Sequence, residues 1–197
     1  MPEARKDRPE NPRATSGIEP RRRRWWVLGG AIVVVAAVAV GYFAYRAVAE
    51  PPGVLVADQG NLHIQTFDEP HPPYNSDPPT SGPHMPYIAP WGIHTEPIPK
   101  ELQVHNLEDA GVLVQYNCPS ACPELVEKLT AIVKRHDREV ILAPYPGMTS
   151  RIALTAWTRI DTFDRFDEAR IARFIKAYRG IDHHKRGSIT TGGRMVP

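Results

Sequence analysis

Residues Trp25 to Tyr45 form an unbroken run of about 21 residues without a charged side chain, dominated by Val and Ala. A hydrocarbon core of ~30 Å is crossed by about 20 helical residues, so the run is long enough to span a bilayer. Arg21 to Arg24 directly precede it, and only Arg46 follows closely. Basic residues stay on the cytoplasmic side, which places residues 1–24 inside and everything after Arg46 outside the cell membrane. Trp25, Trp26, Tyr42 and Tyr45 suit the two interfaces. The competing reading is a cleaved signal peptide, because Ala47-Val48-Ala49 has the small-x-small pattern of a cleavage site. The run exceeds the ~7–15 residues of a signal h-region, which favours an uncleaved single-pass anchor over residues 25–46. Both readings export the C-terminal part.

That topology also explains the charge. Residues 1–24 are rich in Pro, Arg and Glu, have almost no apolar content, and are expected to be a disordered basic cytoplasmic tail. The net charge of +2 is carried largely by this tail, so the exported part offers no basic patch for nucleic acid. A membrane is the partner implied, with room for an extracytoplasmic protein partner of unknown identity. The exported region is long enough for one domain with a real core. Its environment permits a disulfide between the only two cysteines, Cys118 and Cys122.

Twelve prolines crowd residues 50–100, which argues against regular helix or central strand there. Tyr74, Tyr87, Ile88, Trp91 and Ile93 punctuate the segment, so 47–100 reads as an extended wrap whose aromatics dock onto the following core. Regular structure is expected from near Gln103. Gly111 to Tyr116 reads as a strand, Pro123 to Arg135 as an amphipathic helix, Glu139 to Ala143 as a short strand and Arg151 to Ile160 as a third. Asp167 to Tyr178 reads as a second helix closed by Gly180. The order β-α-β-β-α predicts an α/β domain over 101–182: a mixed sheet of three or four strands with two packed helices. A cysteine pair at a strand-to-helix junction ahead of β-β-α is also the layout of thioredoxin-like domains. Residues 183–197 are expected to be a C-terminal tail.

Cys122 falls near the start of the first predicted helix, where free N–H groups favour a thiolate. Four positions apart, both sulfurs can converge on one soft ion, form a static disulfide, or exchange. Neutral imidazole binds copper or zinc, and eight histidines are available: His63, His71, His84, His94, His105, His136, His183 and His184. Met85 and Met148 are further soft donors. His105-Asn-Leu-Glu108 is half of an H-x-x-E-H pattern, but the second His is absent and Gly111 with its strand argues against the required helix. That pair is read as a hydrogen-bonded lock between wrap and core. His183-His184 is read as solvated. No serine-nucleophile, phosphate-loop or calcium-loop spacing is present.

The strings Tyr74-Asn-Ser-Asp-Pro-Pro-Thr-Ser-Gly-Pro-His84, Ala89-Pro-Trp-Gly92 and Val104-His-Asn-Leu-Glu108 resemble the membrane-anchored bacterial family called domain of unknown function 3105. The likeness continues through Cys122-Pro-Glu-Leu-Val126 and Ala143-Pro-Tyr-Pro-Gly147 to Ala153-Leu-Thr-Ala-Trp157, over roughly residues 50–182. In that family Asn-Leu-Glu is often followed by His-Gly; here Asp109-Ala110 stands instead, so no role of a histidine there carries over. The C-P-x-x-C-P stretch of the cysteines, followed by Glu-Leu, is locally similar to Sco-type copper chaperones. That similarity implies two thiolates and a distant histidine on copper.

These readings converge on a non-enzymatic, extracytoplasmic metal-handling domain, copper first. Cys118 and Cys122 are the principal candidate ligands, with His105 or His84 as the third. The alternative is a structural or partner-binding module with a Cys118–Cys122 disulfide, and the third is a thiol–disulfide oxidoreductase.

Overall fold

The computed structural model describes residues 20–184. Residues 1–19 of the expected basic tail and residues 185–197 of the expected C-terminal tail lie outside the described residues. The chain divides into two compact units, Met1–Glu50 and Pro51–Pro197. In the first, helix α1 runs over Pro20–Ala49, and its stretch Trp25–Phe43, of mean hydropathy 2.2, is long and apolar enough to cross a membrane.

The second unit is a mixed α/β fold. Its elements are β1 (Val54–Leu55), β2 (Gly92–Ile93), α2 (Lys100–Glu108), β3 (Val112–Tyr116), α3 (Pro123–Val133), β4 (Val140–Pro144), β5 (Ile152–Ala156), β6 (Arg159–Phe163) and α4 (Glu168–Tyr178). They build one sheet in the order β1-β6-β5-β3-β4-β2. Strand β4 lies parallel to both β3 and β2, whereas β5 lies antiparallel beside β3 and β6 antiparallel beside β5. The core strands carry near-continuous apolar runs because both faces of the sheet are covered. Along β3, Val112 and Val114 point into one cluster and Leu113 into another; along β4, Val140 and Leu142 part from Ile141 and Ala143 in the same way. Period-two alternation puts these clusters on opposite faces.

Helices α3 and α4 cover the first face with Leu125, Leu129, Ile132, Val133, Ile171, Phe174 and Ile175. Pro123 opens α3, and the Asp167 carboxylate caps α4 by accepting from the Arg170 backbone N–H at 2.9 Å. Helix α2 and the proline-rich segment cover the second face through Ala89, Ile98, Val104 and Leu107, with Trp91 and Tyr74 packed against them.

Three features differ from the sequence reading. The sheet has six strands rather than three or four, because the wrap contributes β1 and β2 at its two edges. The expected single strand Arg151–Ile160 is a hairpin: β5 and β6 pair Ala156 with Arg159 across a turn at Trp157-Thr158, where Thr158 has φ 56°. The wrap holds this turn, since the Thr158 N–H donates to the Thr80 carbonyl and the Val56 N–H to the Thr158 carbonyl. Finally, α2 is a helix where none was predicted ahead of the strand at Gly111, and it carries His105 and Glu108. Its residues Gln103 to Glu108 are all buried, so no apolar stripe alternates with a polar face. It ends at Ala110 in left-handed conformation, φ 68°, followed by Gly111. A methyl group at Gly111 would strike the Asn106 carbonyl oxygen and come within 2.8 Å of the Trp91 ring.

Candidate metal centre

The side chains that could hold an ion gather where the wrap crosses α2. His63 and His84 are brought side by side by an isolated parallel bridge: the Ile64 N–H donates to the His84 carbonyl at 2.8 Å and the His84 N–H to the Leu62 carbonyl at 2.9 Å. Helix α2 supplies His105, Glu108 and Asp109, spaced i, i+3 and i+4 so that they share a face. Asn106 anchors the crossing by accepting from the Ala89 N–H and donating to the Ala89 carbonyl, each at 2.9 Å. One nitrogen from each of His63, His84 and His105 and one oxygen of Glu108 lie within 4.8 Å of one another. His84 and Glu108 are fully buried, whereas the His63 side chain is 41% exposed and opens the cluster to solvent.

The hydrogen bonds define the protonation pattern. The Gly82 carbonyl can only accept, so His84 Nδ1, 2.7 Å away, must carry a hydrogen. His84 Nε2 then faces Glu108 Oε2 at 2.9 Å. Burial holds the His84 pKa below its ordinary value, outweighing the upward pull of the Gly82 carbonyl and of Glu108. In neutral His84, Nε2 is a lone pair aimed at a carboxylate oxygen, and two acceptors that close need a proton or a metal cation between them. Asn61 fixes the other oxygen of the carboxylate, donating from Nδ2 to Glu108 Oε1 at 2.7 Å. His105 is likewise pushed down, chiefly by burial, against the pull of Asp109. Its Nδ1 is buried with no hydrogen-bond partner. A ring nitrogen left unpartnered in the interior is costly unless something binds it.

The cysteines take no part in this cluster. Cys118 and Cys122 are joined in a disulfide, with Cα atoms 6.0 Å apart, and pack against the α3/α4 face of the sheet. The other face carries α2 and its histidine, so the structure does not bring the two sulfurs together with His84 or His105. Met85 and Met148 are buried, Met148 beside Tyr145 and Ala153. The expected His105–Glu108 lock is replaced by Glu108 contacts to His84 and Asn61, which tie wrap to core through different partners. His183 and His184, read as solvated, are folded against α2: the His183 N–H donates to the Glu108 carbonyl at 3.0 Å, and its ring stacks on Trp157.

From the sequence, His84 and His105 stood first, His63 and His184 were only two of eight available histidines, and Glu108 was not read as a ligand. Glu108 and Asp109 had a readable signal, their spacing from His105, once that segment is granted to be a helix. His63 and His184 had none, since tertiary contacts alone place them.

The family model described as protein of unknown function (DUF3105) matches residues 68–191, which include His84, His105, Glu108 and both cysteines. No curated protein and no solved structure matches the chain.

Proposed function

The chain belongs to the DUF3105 family of proteins of unknown function, and we propose that its second unit is a metal-binding module that takes a divalent first-row ion, Cu(II) or Zn(II), at His63, His84, His105 and Glu108. The observation that carries this reading is the buried contact of His84 Nε2 with Glu108 Oε2 at 2.9 Å, the other His84 nitrogen committed to Gly82, in one cluster with His63 and His105, whose Nδ1 has no partner. Outer partners already fix the ligands: Gly82 sets the His84 tautomer and Asn61 orients the carboxylate, as second shells of metal sites do. Imidazole and carboxylate suit zinc and oxidised copper, whereas Cu(I) favours thiolates, and here the sulfurs are bonded to each other. The half-exposed His63 provides the entry path. The module acts as a non-enzymatic metal handler anchored by α1. The Arg21–Arg24 cluster supports a cytoplasmic N-terminus and an extracytoplasmic site.

The test is ion binding by the untagged full chain in detergent micelles after chelator treatment. Zn2+ and Cu2+ should bind, and His105→Ala or Glu108→Gln should weaken affinity by at least ~100-fold, more than loss of an outer partner does. Cys118→Ser with Cys122→Ser should leave affinity unchanged. Wild-type chain that binds neither ion would overturn the reading. It would leave the second one, favoured by the observed disulfide: a structural or partner-binding module in which the His84–Glu108 pair is internal bracing. Thiol–disulfide exchange would show as ready reduction of the Cys118–Cys122 bond by a dithiol and oxidation of that dithiol in return.

A further inference from the structure

A second set of donors adjoins the first. His105, Asp109 and His184 also present one ligand atom each within 4.8 Å of one another. His184 arrives after α4, where the chain returns over the end of α2: the Gly180 N–H donates to the Ala110 carbonyl at 2.9 Å and the His183 N–H to the Glu108 carbonyl at 3.0 Å. Asp182 then fixes the ring. Its Oδ1 accepts from the His184 backbone N–H at 2.9 Å and contacts His184 Nδ1 at 2.7 Å. A carboxylate can only accept when ionised, so Nδ1 carries the hydrogen and Nε2 is turned to the other side. There it meets Asp109 Oδ1 at 3.4 Å and Glu108 Oε2 at 3.6 Å. A carboxylate on one imidazole nitrogen and an open coordination direction at the other is the arrangement that orients histidine toward a metal. Among the described residues, the ion pairs of Glu108, Asp109 and Asp182 all go to histidine, none to Lys or Arg. Three carboxylates thus surround the His184 ring, Asp182 at Nδ1 and Asp109 with the buried Glu108 at Nε2.

We propose that this edge holds a second divalent first-row cation, bound by Asp109 and His184 and joined to the first ion through Glu108, with His105 between them. The proposal rests on the first ion's site being real. Glu108 Oε2 is the natural bridge, since it lies 2.9 Å from His84, 3.7 Å from His63 and 3.6 Å from His184. Two ions sharing a carboxylate sit about 3.5–4 Å apart. Asp109 offers an oxygen donor at that edge. Asp182 is a positioning residue that acts through His184.

The experiment counts ions on the untagged full chain in detergent micelles, stripped of metal and then dialysed against Zn2+. Two ions per chain are expected in the wild type and one in Asp109→Asn or His184→Gln, with affinity for the remaining ion within a few-fold. Asp182→Asn should weaken the second ion by about 10–100-fold and spare the first. With two equivalents of Cu2+, the wild type should give an electron paramagnetic resonance signal broadened or lost through coupling, and His184→Gln an isolated mononuclear spectrum. One ion on the wild type would overturn the second site and leave the first standing. No ion at all would overturn both. Two uncoupled Cu2+ ions, or two ions persisting in the Asp109→Asn/His184→Gln double variant, would also overturn the bridged pair.

Discussion

The sheet has two covered faces, and they solve burial in different ways. Under α3 and α4 the cluster is apolar, with the disulfide, ring edges and the Arg170–Asp161 ion pair at its margin. Under α2 an apolar patch shares the interior with a polar series: Gln115 donates to Gln103, Thr155 donates to Gln115, Asn106 grips Ala89, and His84 meets Glu108. On the first face an apolar side chain of suitable volume serves, because the gain is roughly proportional to the apolar area removed from water. On the second every donor and acceptor must find a partner, since an orphan costs about 1–3 kcal/mol. Nearly all of them do. The exception among the described side chains, His105 Nδ1, lies in the same cluster as the buried His84–Glu108 contact. One face therefore packs apolar surface, and the other packs a hydrogen-bonded polar series that leaves one buried ring nitrogen without a partner.

The largest effect that would break this division is a truncation on the apolar face. Phe174 is fully buried between α4 and the sheet. Phe174→Ala should cost about 3–5 kcal/mol of unfolding free energy by chemical denaturation. It should leave the ion affinity of the folded fraction unchanged, and an equal loss of ion affinity would mean that the faces are not separable. The next effect belongs to the polar face alone. An ion at 100 times its dissociation constant should raise stability by about 2.7 kcal/mol. His63→Ala should remove most of that gain while leaving the metal-free stability nearly unaltered, because the His63 side chain is 41% exposed.

The same contrast decides what could be read from the sequence. Helices α3 and α4 pack one stripe on an apolar face, so their 3.6-residue spacing was visible, and β3 and β4 were visible as short apolar runs. Helix α2 is buried all round with polar residues that satisfy one another, so its pattern carries no period, and the prolines before it pointed away from helix. The β5–β6 turn uses Trp157-Thr158, residues that favour strand, and depends on hydrogen bonds from a wrap some eighty residues earlier in the chain. His84 and His105 stood inside specific motifs, yet which atoms join them is set by the crossing of wrap and helix. The cysteine pair was legible as chemistry at a helix start. Its distance from the histidines was not, because nothing in the local string tells which face of the sheet a distant residue will cover.

The disulfide gives the third effect, confined to the apolar face. For so short a loop, loss of the cross-link through Cys118→Ser with Cys122→Ser should cost about 2 kcal/mol at most. Denaturation midpoints measured with and without Zn2+ should then shift by the same increment in variant and wild type. An increment that shrinks would tie the cysteines to the ion site after all.

The smallest effect is the pH dependence of the metal-free chain, and its sign differs between residues. His84 and His105 on the α2 face are held below the ordinary imidazole value of 6.5, chiefly by burial. His136 on the other face is also lowered, by burial and then by Arg179 and Arg135. For all three the unfolded chain takes up a proton near pH 6.5 that the folded chain still refuses. Stability should therefore fall as pH drops below about 6.5, until the lower folded pKa values are reached. His184 runs the other way. Partial burial opposes it, but the Asp182 hydrogen bond and the charges of Glu108 and Asp109 raise its pKa. Its contribution is full below pH 6.5 and is lost as pH rises through the raised value. Metal-free wild type should thus lose stability from pH 7 to pH 5, and His184→Gln should lose more over the same interval, because the opposing term is gone. His136→Asn should remove only the part that belongs to the apolar face. If His136→Asn flattened the whole profile, the α2 cluster would already be protonated at neutral pH, and a proton, not a metal ion, would bridge His84 and Glu108.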